Sequence, residues 1–208
     1  LEGRAAVVTG GAVRLGRELC LALAKAGVRV CLHYGRSAEQ AERTLADLRA
    51  LGAEAASVQA DLFHPSDAAE TIIAAARRAF GEVQVLINNA AVFEAGSLAD
   101  TTPDDWERQQ RINLQAPLFL CQRFSRQLPE TGEGAIINIA DWRALRPQPG
   151  HLAYTLSKAG IVALTQLLAL ELAPRIRVNA IAPGAILPPP DADTAQFEQL
   201  ADDIPLQR

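Results

Sequence analysis

Short apolar runs rich in β-branched residues alternate along the chain with longer segments whose apolar positions recur every three or four residues. The runs are 4–9 "RAAVVT", 28–33 "VRVCLH", 54–59 "EAASVQ", 83–87 "VQVLI", 134–140 "GAIINIA" and 176–181 "IRVNAI". The periodic segments lie near 14–26, 37–51, 66–80, 103–128 and 152–173. The first set predicts strands and the second predicts helices. A strand that is apolar at nearly every position has both faces covered, and helical crossovers imply parallel pairing. The pattern therefore predicts an α/β fold: a doubly wound parallel sheet of the Rossmann type, as a single domain over 1–208. In such sheets ligands sit outside the carboxyl ends of the strands. One stretch breaks the pattern, "PGAILPPPDADT" at 183–194. Its prolines cannot continue a helix or a central strand, so a substrate flap is expected near 184–208.

Composition narrows the function classes. Hydrophobic residues make up 49% of 208 residues and charged residues 21%, enough for a sizeable core in a globular protein. The net charge of −4 excludes a generally basic surface for nucleic acid. The runs look too short for a membrane span, and no secretory signal opens the chain, so a cytoplasmic location is expected. Cys20, Cys31 and Cys121 sit among apolar neighbours and read as reduced core residues. His33 and His151 have no metal-ligand spacing, and no metal site is expected. The chain contains no methionine, even at position 1, which suits a trimmed or incomplete sequence.

Chemistry first enters at "VVTGGAVRLGRE", between the first strand and the first helix. Gly10, Gly11 and Gly16 allow a tight turn and a close approach of backbone to a phosphate, where a helix amino terminus adds unpaired N–H groups. The spacing is not the usual G-x-G-x-x-G, but the strand–turn–helix context supports nucleotide binding. A fold of this kind that prefers NAD carries an acid near the end of its second strand. Here Tyr34 stands in that place, followed by Arg36 and Ser37. Two guanidiniums, Arg14 and Arg36, with the Ser37 hydroxyl, suit a phosphate, so NADPH is expected rather than NADH.

A second constellation lies in "IINIADWRALRPQPGHLAYTLSK". Tyr154 and Lys158 are four residues apart and share one helix face. A nearby ammonium would lower the tyrosine pKa towards neutrality and make the phenol a usable general acid. Asp141 ends the preceding strand. An ionised carboxylate only accepts hydrogen bonds, and it would repel the oxyanion of a ketone reduction. It suits a substrate with N–H donors, or one whose nitrogen takes a proton while carbon takes hydride. A reduced pterin meets both demands. Phe93 would supply a stacking face for such a flat ring, and Trp142 would form a second wall.

"TGGAVRLG", Asp61 in "QADL", "NNAA" at 88–91, Asn113 in "RINLQAP", Tyr154-x-x-x-Lys158 and "APG" at 182–184 together resemble the short-chain dehydrogenase/reductases, in order and spacing, across nearly the whole chain. "CLHYGRSAEQAE", the arginine in the glycine turn, Phe93 and Asp141 resemble the pteridine reductases within that family. The resemblance implies a cofactor site of Gly10, Arg14, Leu15, Gly16, Tyr34, Arg36, Ser37, Asp61, Leu62, Asn89, Ala90, Ala91, Lys158, Pro183, Gly184 and Ile186. Asp61 and Leu62 would lie near the adenine, and Asn88 to Ala91 would line the dinucleotide groove. Lys158 would reach the nicotinamide ribose. Asn113 would hold a backbone kink or a water that leads to the lysine, and joins Asp141, Tyr154 and Lys158 as a catalytic residue. Members usually add a helix and a strand after "PLQR", which this sequence lacks, and carry a threonine near the place of Pro188. They commonly form tetramers through helices corresponding to 103–128 and 152–173, so a homotetramer is expected. The function expected is NADPH-dependent reduction of a pterin-like C=N bond. The alternatives are a 3-oxoacyl or sugar-ketone reductase, and a catalytically silent NADP-binding subunit or sensor.

Overall fold

The computed structural model describes residues 1–184 and 186. Six strands form one parallel sheet: β1 (Ala5–Val8), β2 (Arg29–Tyr34), β3 (Ala55–Gln59), β4 (Val85–Asn88), β5 (Gly134–Ile139) and β6 (Ile176–Ile181). Their spatial order is β3-β2-β1-β4-β5-β6. The chain winds outward from β1 to β3, crosses back to β4, and then winds outward the other way. The direction changes between β1 and β4, which is where this topology opens a crevice. Helices α1 (Arg14–Lys25) and α2 (Ala38–Ala50) cover one face. Helices α3 (Pro65–Phe80), α4 (Pro103–Gln110), α5 (Ala116–Gln127) and α6 (Leu152–Glu171) follow the second half of the winding, with α3 and α5 forming the core of the other face.

Each face has its own apolar core, as near-continuous apolar strands require. Val7, Cys31, Leu86 and Ile136 point to one side with Ile72, Leu120 and Phe124. Val8, Val30, Leu32 and Ile87 point to the other with Cys20, Leu45 and Leu48. The three cysteines are free and buried, and burial pushes each thiol up to about 12.

Every strand lies within two residues of its predicted run. The segment expected as one helix over 103–128 is instead interrupted. Residues Arg111–Gln115 form a π turn, in which the Ala116 N–H donates to the Arg111 carbonyl. The cause is Pro117, which has no N–H for the Asn113 carbonyl and crowds it with its ring. Upstream, Thr102 and Asp105 form a capping box with Pro103 in the first turn. A second departure concerns α6. By length and composition alone it is apolar enough to cross a membrane, which the sequence reading did not anticipate. Its buried face, however, carries Tyr154, Ser157, Lys158 and Thr165, so it is built as a core helix that presents polar groups inward.

Register aligns the site. Val8 pairs with Ile87, and Ile87 with Ile137, so β1, β4 and β5 end at one edge of the sheet. Thr9, Asn89 and Asp141 therefore follow their strands onto the same rim. Of the flap expected over 184–208, only Gly184 and Ile186 fall within the described residues; Pro188 lies outside them.

Candidate active site

The cofactor end is built around the turn after β1. Gly10 has φ +63°, a left-handed conformation that suits glycine. Gly16 is packed tighter still: a Cβ there would lie 2.0 Å from the Gly10 carbonyl oxygen. Arg14 also adopts a left-handed φ, of +51°. The Thr9 hydroxyl accepts the N–H groups of Asn89 (2.9 Å) and Ala90 (3.0 Å), and Asn89 Nδ2 donates to the Thr9 carbonyl at 2.8 Å. These bonds stitch the β1 turn to the β4 turn. His33 braces the same turn from β2. Its Nε2 lies 3.0 Å from the Ala60 carbonyl, which can only accept, so Nε2 carries the proton. Nδ1 is then left to accept the Gly10 N–H at 3.3 Å. Burial pushes this imidazole below its ordinary pKa and keeps it neutral.

A cleft of about 610 Å³ opens beside the turn. Gly10, Arg36, Ser37, Asp61, Leu62, Ala90 and Ala91 are on its wall. A bare glycine turn, an arginine with a hydroxyl at the end of β2, and a small-residue floor fit a phosphorylated dinucleotide. Some expected cofactor residues are elsewhere. Tyr34 and Leu15 pack against the apolar core on the α1–α2 face. Arg14 is exposed at the start of α1 and is not on the cleft wall, so the cleft gathers Arg36 and Ser37 without it. Asn88 does not line the groove: it is buried, and its Nδ2 donates to Asn138 Oδ1 at 2.8 Å. The Asn89 side chain is committed to the Thr9 carbonyl. Gly184 and Ile186 are exposed, and the Pro183 carbonyl accepts the Trp142 N–H at 3.2 Å.

The substrate end joins three segments. The loop after β4 carries Phe93 and is pinned to the start of α6. The Gly96 N–H donates to the Gly150 carbonyl at 2.8 Å, and the Leu152 N–H to the Gly96 carbonyl at 3.0 Å. Phe93 then stacks on His151, with centroids 4.2 Å apart, and meets the Tyr154 ring edge-on at 4.6 Å. It remains 52% exposed. Asn113, at the π turn, grips the same loop. Its Oδ1 accepts the Val92 N–H at 2.8 Å, and its Nδ2 donates to the Val92 carbonyl at 2.9 Å and to Ser157 Oγ at 3.1 Å. Asn113 therefore accompanies a backbone irregularity, as expected. Its side chain bonds Val92 and Ser157, so what it holds directly is the loop that carries Phe93.

The Tyr154 hydroxyl donates to Asp141 Oδ2 at 2.8 Å. The other oxygen, Oδ1, accepts the Arg143 N–H at 2.8 Å, in a short 3₁₀ turn over Trp142–Ala144. Lys158 Nζ donates to the Ile139 carbonyl at 2.7 Å and lies 5.8 Å from the Tyr154 ring centroid. The electrostatics correct one expectation. The Tyr154 phenol is pushed up, not down, by its burial and by the Asp141 carboxylate that accepts its proton; Arg143 opposes this only weakly. Lys158 is pushed down to about 8 by burial, with Asp141 partly offsetting the shift. The carboxylate therefore governs the tyrosine more than the ammonium does.

Sequence reasoning missed Thr9, His33, Arg143 and His151. A histidine inside an otherwise apolar strand was the available signal for His33. The other three act through contacts between distant segments, and a single sequence does not reveal these.

The model of the short chain dehydrogenase family matches residues 4–199. A 3-oxoacyl-[acyl-carrier-protein] reductase FabG from Staphylococcus epidermidis is 33% identical over 210 residues, covering 99% of this chain and 85% of that protein. Versicolorin reductase stcU from Emericella nidulans is 33% identical over 187 residues, covering 89% of this chain and 70% of that protein. Among solved structures, FolM alternative dihydrofolate reductase 1 from Brucella suis, in complex with NADP, superposes with a TM-score of 0.93 at 36% identity, covering 99% of this chain and 82% of that one. With the six-stranded order, the glycine turn and the Tyr154–Lys158 pair already in view, these matches place the chain in the short-chain dehydrogenase/reductase family of NAD(P)-dependent oxidoreductases.

Proposed function

We propose that the protein is an NADPH-dependent reductase of a C=N bond in a pterin-like substrate. The observation that carries this reading is the 2.8 Å hydrogen bond from the Tyr154 hydroxyl to Asp141. A carboxylate stands where a ketone reductase needs a hydrogen-bond donor, and it can take the N–H groups of an amino-pyrimidine edge. The name of the FolM relative, an alternative dihydrofolate reductase, supports the same substrate class. Arg36 and Ser37 would receive the 2′-phosphate, Asp61 and Leu62 would border the adenine, and Gly10 with Ala90 and Ala91 would follow the pyrophosphate and ribose. When bound, the dihydronicotinamide supplies the hydride for the substrate carbon. Tyr154, protonated across the working range, gives its proton to the substrate nitrogen. Asp141, 18% exposed, can return a proton to the phenol from solvent. Lys158 fixes the tyrosine helix to the end of β5 and would hold the nicotinamide ribose. Phe93 and Trp142 would wall the heterocycle.

A second reading, an NADPH-dependent carbonyl reductase, is favoured by the names of the 3-oxoacyl and versicolorin reductase relatives. One experiment separates the two: NADPH oxidation with dihydrobiopterin, dihydrofolate and a 3-oxoacyl ester side by side. Rapid pterin or folate turnover with an inert ester supports the first reading, and the converse overturns it. Tight NADPH binding with no turnover of any of them favours a silent subunit. Asp141→Ser sharpens the outcome, because it should abolish pterin turnover and admit the ketone. We place this activity in the cytoplasm, where the three buried thiols stay reduced, and in a homotetramer. Exposed Trp106 and Leu118 on α4–α5, and Leu156 and Leu167 on α6, would be covered there.

A further inference from the structure

Arg143 stands beside the reacting groups, and the reaction proposed above gives it no task. Its guanidinium lies over the Trp142 ring at 4.9 Å and the Phe93 ring at 5.5 Å from their centroids. Its Nη1 is 4.0 Å from Asp141 Oδ1, a long ion pair. A guanidinium carries five N–H donors. Among the described residues none of them makes a hydrogen bond, and Nε is buried without a partner. The group is thus held by two aromatic faces and one carboxylate, its side chain 23% exposed. Such an arrangement fixes a donor edge in place without consuming it.

The neighbouring acceptor has capacity left. Asp141 Oδ2 takes the Tyr154 hydroxyl and Oδ1 takes one backbone N–H, and each carboxylate oxygen can accept a second bond. Acceptor and donor therefore stand side by side, next to the half-exposed Phe93. We propose that Arg143 is a specificity-determining residue that, with Asp141, reads the N–H/C=O edge of a 4-oxo-pteridine ring and rejects a ring bearing a 4-amino group. The oxo ring offers N–H to Asp141 and C=O to Arg143. The amino ring turns a donor towards the guanidinium and leaves both donors unpaired, the kind of mismatch that buried polar sites discriminate against strongly. This inference rests on the pterin reading above.

The test compares a 4-oxo dihydropteridine with its 4-amino counterpart, in the wild type and in Arg143→Met, with NADPH affinity and melting temperature measured on both proteins. The wild type is expected to favour the oxo ring in kcat/KM by about tenfold or more. Arg143→Met is expected to bring the ratio near unity while NADPH affinity is unchanged, which a purely structural role would not do. Equal handling of both rings by the wild type overturns the inference, and that measurement does not depend on whether the variant folds. A ratio that persists in Arg143→Met also overturns it, and both outcomes leave the pterin reading standing. If neither ring binds or reacts while the 3-oxoacyl ester is reduced, the underlying reading falls and takes this one with it.

Discussion

The two ends of the crevice are built from different materials. At the cofactor end, glycines, a threonine, an asparagine and a neutral histidine hold the turns together, mostly through backbone groups. At the substrate end, a carboxylate, a phenol, a guanidinium and stacked rings face one another across three segments. The turns of the first end are held by uncharged groups packed to contact, and the second end is charged and partly open. The contrast matches the tasks. Binding a phosphorylated cofactor needs backbone N–H groups in fixed places, whereas moving a proton needs groups whose charge can change. Damage at one end should therefore spare the function of the other.

The largest expected effect is at the substrate end. Tyr154→Phe removes the hydroxyl that donates to Asp141 and should lower turnover by about a thousandfold. NADPH affinity, read by fluorescence titration, should stay within twofold or so of the wild type. A large loss of cofactor affinity in this variant would break the separation between the two ends.

The mirror experiment is Gly16→Ala. Its new Cβ would sit 2.0 Å from the Gly10 carbonyl oxygen and 2.7 Å from Asn89 Nδ2, and neither can retreat without opening the turn. A destabilisation of about 3 kcal/mol is expected, together with weaker NADPH binding. Denaturant unfolding and cofactor titration measure the two. An intact affinity would mean that the turn is looser than its packing implies.

This contrast also explains what the sequence could reveal. The positions of the strands, the doubly wound class and the glycine turn were legible, because each depends on local pattern: apolar runs of a given length, and glycines at a fixed offset from a strand. Tyr154 and Lys158 were legible for the same reason, as neighbours on one helix face. The environment of Tyr154 was not. Its neighbour in the sequence pattern is the lysine, but its hydrogen-bond partner is thirteen residues away, at the end of another element. The expected fall in its pKa came from counting the ammonium and ignoring burial. The roles of Arg143 and His151 were not legible because they appear only once the loops after β4 and β5 meet at one rim. Pro117 offered a local clue to the π turn and to the grip of Asn113 on Val92.

Asn113 joins the two ends, and it predicts an intermediate effect. Asn113→Ala removes three hydrogen bonds and leaves the Val92 N–H and carbonyl without their partner. About 2 kcal/mol of stability should be lost. Because Val92 carries the loop of Phe93, KM for the substrate should rise more than kcat falls. A change confined to kcat would assign Asn113 a part in proton delivery instead.

Counted per pH unit, the smallest effects are in the pH dependence of stability, and they resolve the two ends by window. His33, at the cofactor end, has its pKa lowered from 6.5 in the fold. Below 6.5 the unfolded chain takes a proton that the folded state refuses, so stability should fall as pH drops through that region. Lys158, at the substrate end, is lowered from 10.5 to about 8. Below 8 both states hold the proton and the cost of burying the charge is felt in full. Between 8 and 10.5 only the unfolded chain keeps it, so stability should climb with pH, by at most about 1.4 kcal/mol per unit. Tyr154 acts in the opposite sense. Its raised pKa means that above its ordinary value of 10 the folded state keeps a proton the unfolded chain loses, and stability should decline again. Unfolding free energies across these ranges, compared with those of His33→Gln, Lys158→Met and Tyr154→Phe, should each lose one slope and keep the other two. If Lys158→Met also flattened the acid slope, the two ends would be titrating as one network and the separation between them would fail.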